Sequence, residues 1–178
     1  VDNTAPTISI GAPSASTTAG GPVTYTITYS GENSISLGNG NVTLNSTGSA
    51  SGTANVLGSG STRTVTISGI TGDGTLGISI ASGTASDTAG NTAGAAGPST
   101  TFTVDNTAPT VSIGAPSASS TMGAPVTYTV TYADANFNSA TLVNGDVTLN
   151  STGTANGSVN VTGSGTTCVT RYRNDEVE

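Results

Sequence analysis

The chain carries 178 residues with 3 Lys+Arg against 10 Asp+Glu, a net charge of −7, no His, no Trp and a single Cys. The missing imidazole excludes Ser-His and Cys-His catalysis and His-ligated metal sites. The acidic balance argues against nucleic acid and anionic membrane as partners, no apolar run reaches membrane-spanning length, and Cys168 has no second Cys for an internal disulfide.

In chain order, apolar residues alternate with Thr and Ser, the period-2 pattern of half-buried strands. Ile8 and Ile10 mark a first strand; Val23, Tyr25, Ile27 and Tyr29 mark a second, with Thr24, Thr26 and Thr28 on its other face. Ile35 and Leu37 start a short third, Val42 and Leu44 a fourth, Ala54 and Val56 a fifth, and Val65 and Ile67 a sixth. Leu76, Ile78 and Ile80 form the seventh, and Phe102 and Val104 the last. The phase places Ile27 and Ile78 inward and Thr26 outward. Clusters such as GAPSAS, SGENS, TGSASG and TGDGT separate the strands, and TGDGT, with Asp73, reads as a hairpin turn. No stretch has helical period, so the fold class is all-β, and seven or eight short strands in about a hundred residues suit a two-sheet sandwich.

The pattern repeats. VDNTAPT begins at Val1 and again at Val104, and residues 1–29 aligned with 104–132 give 24 identities in 29. After two extra residues in ADANFNS at 133–139, DVTLNSTGTA answers NVTLNSTGSA. Similarity ends at Cys168, before any counterpart of TGDGTLGISIA or of the closing TFTV. The organisation read from this is a complete repeat at 1–104, a truncated second repeat at 105–167 and a divergent tail at 168–178, which is a natural terminus, a frameshift or an artificial boundary. The second repeat is expected to be a partial sandwich with an uncovered apolar face. A first residue Val rather than Met, with no leader-like run after it, reads as an internal piece of a longer protein.

At VDNTAP, VTYTVTY, ISGITGDGTLGISIA and SDTAGNT the sequence resembles the bacterial immunoglobulin-like repeats of very long secreted or surface-anchored proteins, over residues 1–167. The resemblance implies tandem Ig-like Greek-key β-sandwiches, the second one incomplete. It implies an extracellular stalk or adhesive segment of a cell-surface or biofilm-type protein, sometimes stiffened by calcium between neighbouring domains, and no single ligand. The Trp and paired Cys of antibody domains are absent.

Apart from Asp146 and the tail, the acids are turn residues: Asp2, Glu32, Asp73, Asp87, Asp105 and Asp134. Loops can gather oxygens around a hard cation. If Asp87 with Asn91, Asp105 with Asn106, and Asp134 meet at the joint, they offer three carboxylates and two amides to calcium. Each also has a plainer reading. The segment Asp87-Thr-Ala-Gly-Asn91 is a turn with Gly90 at positive φ, Asp105-Asn106 is an Asx turn, and Asp134 is a solvated loop carboxylate. Tyr25 and Tyr29 read as core-edge residues rather than sugar platforms.

The leading expectation is a structural or adhesion module of a bacterial surface or secreted protein, extracellular, whose partners are neighbouring repeats of the same parent chain and a host or matrix surface. The alternative is a carbohydrate- or ligand-binding accessory module of a secreted enzyme, which needs exposed aromatic pairs in a chain with only 5 Tyr and 2 Phe. The chain is not expected to be an enzyme itself, since single acids scattered among Gly turns form no evident carboxylate pair.

Overall fold

The structure, a computed structural model, describes residues 1–173 and divides into two compact units, Val1–Asn106 and Thr107–Glu178. The end of the divergent tail, 174–178, lies outside the described residues. The fold is all-β.

Unit 1 contains β1 (Thr7–Ile10), β2 (Thr17–Thr18), β3 (Val23–Ser30), β4 (Ser34–Ile35), β5 (Val42–Ser46), β6 (Ser51–Leu57), β7 (Thr62–Thr71), β8 (Gly74–Ile80), β9 (Ala85–Ser86) and β10 (Phe102–Val104). One sheet has the order β1-β3-β7-β6, a second β2-β10-β8-β5, and β4 pairs with β9 on its own. Neighbours run antiparallel except β2 and β10, which are parallel.

Successive side chains of a strand point to opposite faces, and β3 shows the consequence. Val23, Tyr25, Ile27 and Tyr29 are buried, while Thr26 and Thr28 are exposed on a face that suits β-branched hydroxyl side chains. Leu76, Ile78 and Ile80 of β8 and Phe102 and Val104 of β10 close the same core cluster from the second sheet, the layout of a β-sandwich. Ile27 and Ile78 are both 0% exposed, in the expected phase. The two tyrosines belong to this core, with their polar tips satisfied: Tyr25 Oη donates to the Thr100 carbonyl (2.8 Å) and Tyr29 Oη to Thr84 Oγ1 (2.9 Å).

TGDGT is not a hairpin. β7 belongs to the first sheet and β8 to the second, so the segment carries the chain across the sandwich. Gly72 and Gly74 have φ of +76° and +145°, and a Cβ on either would run into the main chain of Ser49 or Thr47. That neighbour is the other crossing, from β5 to β6. Ser49 N–H donates to the Asp73 carbonyl (2.9 Å) and Asp73 N–H to Ser49 Oγ (3.0 Å), locking the two corners together. Alternation on both sides of a Gly turn predicts two strands but says nothing about which sheet each joins.

Unit 2 contains β11 (Thr110–Ile113), β12 (Val126–Ala133), β13 (Ser158–Ser164) and β14 (Thr167–Arg173) in the order β11-β12-β14-β13, which is the order β1-β3-β7-β6 again. The register also recurs: Ile113 lies opposite Val130 as Ile10 lies opposite Ile27, and Tyr128 opposite Thr170 as Tyr25 opposite Val65. Over its described part the divergent segment from Cys168 is therefore an inner strand of the sheet. Ladder bonds are made by the backbone, and the period-2 burial survives the changed side chains, with Cys168 and Thr170 buried and Arg171 exposed. Among the described residues no strand stands in the place of β8 or β10. The segment VTLN at 147–150 repeats 42–45, yet it is not a strand. Val111 and Ile113 are 58% and 70% exposed, and the β12 tyrosines pack on other aromatics, Tyr128 edge-on to Tyr172 (5.3 Å) and Tyr132 against Phe137 of the insertion (5.8 Å).

Candidate functional site

Past the Ile80 end of β8, the chain reverses over residues 87–91. Asp87 Oδ1 accepts the Asn91 backbone N–H (2.8 Å), its Oδ2 accepts the Asn91 side-chain amide (2.8 Å), and Gly90 supplies a φ of +92°. Asp87 N–H donates to the Asn91 carbonyl (3.1 Å), closing the loop, and Asn91 Nδ2 also donates to the Asp2 carbonyl (3.1 Å). The Asn91 side-chain amide, helped by backbone N–H groups of Asn91, Ala89 and Gly90 and opposed by desolvation, holds the Asp87 carboxyl below its usual 3.8. Both oxygens of this carboxylate already accept hydrogen bonds from the turn, which is the plainer of the two sequence readings.

Asp105 and Asn106 follow β10. Asp105 N–H donates to the Thr18 carbonyl (3.0 Å), Asn106 N–H to Asp73 Oδ1 (2.6 Å), and Asn106 Nδ2 to the Gly72 carbonyl (2.7 Å). The second DNTAP thus begins bolted to the sheet-crossing corner. Because β10 runs antiparallel to β8 with Val104 opposite Gly74, Asp105 lies past the Gly74 end of β8, whereas Asp87 lies past the Ile80 end. Seven strand residues span about 20 Å, so unit 1 does not bring Asp87 and Asp105 together. This corrects the expectation of a shared cluster: the strand between the two loops reverses the chain and sends them to opposite poles.

Asp134, in unit 2, accepts Asn136 N–H on Oδ1 (2.7 Å), and Asp2 accepts Thr4 N–H (2.9 Å), both local Asx turns. Among the described residues no three His, Cys, Asp or Glu side chains gather to hold a metal ion. The partner sequence reasoning missed is Asp73 for Asn106, 33 residues apart, for which a Gly turn carries no local signal.

No family model matches the chain, and neither a curated protein nor a solved structure matches it.

Proposed function

We propose that the chain is a spacer: a segment of Ig-like repeats from the extracellular stalk of a bacterial surface or secreted protein, with structural rather than catalytic work. The observation that carries this reading is the recurrence of one four-stranded sheet in the same order and register in both units, as expected when a chain reuses one building block. Strand order supports the Ig-like assignment. With β1, β3, β5, β6, β7, β8 and β10 taken as A to G, the sheets read A-B-E-D and G-F-C, the division of strands in an immunoglobulin domain.

The edge contacts suit a load-bearing role. β2 and β10 run parallel, joined by Thr103 N–H to the Ser16 carbonyl (2.9 Å) and Asp105 N–H to the Thr18 carbonyl (3.0 Å). Tension entering at the start of the unit and leaving after β10 shears these bonds together instead of peeling them singly. The natural partners are neighbouring repeats of the parent chain and a host or matrix surface. Calcium belongs to this proposal as an ion held by loop oxygens, the carboxylates of Asp105 and of Asp134 each serving as one ligand beside carbonyls and water, rather than by a cluster with Asp87.

Single-molecule stretching of the chain tests the reading. Unit 1 is expected to resist and then open in one step, lengthening the chain by about 300 Å for roughly a hundred residues. Extension without a discrete step removes the spacer role. Calorimetric titration of wild type and Asp105→Ala with calcium tests the ion, whose heat of binding is expected to fall in the variant.

A further inference from the structure

The open face of unit 2 has a covered counterpart in unit 1. Ile113, Tyr128, Val130 and Tyr132 stand where Ile10, Tyr25, Ile27 and Tyr29 stand in unit 1, and there that surface packs in one core with β8 and β10. In unit 2 the same residues, with Leu149, line a groove of about 420 Å³. The structure itself indicates what fits such a face.

One rim of the groove is the segment 147–150. Its counterpart β5 pairs antiparallel with β8 over five residues, from Val42 opposite Ile80 to Ser46 opposite Leu76. Unit 2 therefore offers an apolar floor together with a row of main-chain donors and acceptors along one edge. A second copy of this face would satisfy only the floor. An extended strand satisfies both.

We infer that the groove is a receptor for an extended segment of the β8 type, an alternating Leu-Gly-Ile-Ser-Ile strand. The segment pairs antiparallel along 147–150 and lays its Leu and Ile side chains on Tyr128, Val130 and Tyr132. Asn150 adds a polar requirement. Its counterpart Asn45 donates through Nδ2 to Ser79 Oγ (2.8 Å), so the segment needs a hydroxyl between its two Ile residues. The inference concerns unit 2 alone and stands apart from the spacer reading.

The test titrates the 178-residue protein with a synthetic peptide of residues 73–81, read by calorimetry and by amide exchange on the same mixture. One peptide per chain is expected, with exchange at 147–150 slowed at least about tenfold, the signature of a new ladder. A peptide of the same composition with its apolar residues moved by one position presents them to the wrong face and is expected to bind at least about tenfold more weakly. Ile113→Lys changes a side chain that is already 70% exposed, so the sheet keeps its own packing while peptide affinity falls by a similar factor. Absence of saturable binding, or binding without protection at 147–150, overturns the inference. So does concentration-dependent dimerisation that protects 147–150 without peptide, which assigns the face to a second copy.

Discussion

Thr26 and Ile27 are chain neighbours with opposite environments, one exposed and one wholly buried in the core. Ile27→Ala or Ile78→Ala leaves a cavity that the packed sheets fill only partly, and each is expected to cost about 2–4 kcal/mol in the denaturant unfolding of unit 1. Thr26→Ala is expected to stay within about 0.5 kcal/mol. Asp87 supplies the pH-dependent counterpart. Its carboxyl is held below the usual range in the folded chain, so its support of the turn is complete above about pH 5 and is lost as pH falls through the depressed value. The protection factor of the Asn91 amide is expected to fall on acidification, and Asp87→Asn is expected to remove that fall. The phase of Thr26 and Ile27 was readable from the sequence because side-chain direction follows from strand period, and the turn from Asp87 to Asn91, four residues apart, was one of the two readings the sequence offered. The bond from Asn106 to Asp73 was not readable, because it depends on where two distant loops are carried by the sheets.

At the scale of elements, the crossings between sheets are where sequence and structure part. TGDGT has the composition of a hairpin turn, and its glycines do adopt the positive φ such a turn needs. The closeness of the corner at 47–49 makes it a sheet-to-sheet crossing. Gly74→Ala forces a Cβ against the Thr47 main chain at a φ of +145°, and thermal or denaturant melting is expected to show a loss of more than about 1 kcal/mol. The strand β5 makes the same point in the other direction. Residues 42–45 and 147–150 share the sequence VTLN, but only the first copy has β8 beside it. Amide exchange is expected to be slow at 42–45 and fast at 147–150 in the same sample; equal protection would show that the segment holds its shape without a partner.

At the scale of the molecule, unit 1 closes a core between two sheets and unit 2, over its described residues, presents one sheet with an open face, so denaturant is expected to unfold unit 2 first, leaving unit 1 with a separate, later transition. Tryptophan is absent, so exchange mass spectrometry, which resolves the two units, is the suitable readout. By itself the sequence determined the all-β class and the phase of β3 and β8, and it shows residues 1–29 repeated at 104–132, because side-chain alternation and repetition are written along the chain. Tertiary structure decided which sheet each strand joins, which loops share a pole, that Thr167–Arg173 becomes an inner strand despite its divergent residues, and that VTLN is a strand once and not twice. The physical reason is that a strand's hydrogen bonds are made with a partner distant in sequence, so identical residues form a strand only where that partner is present.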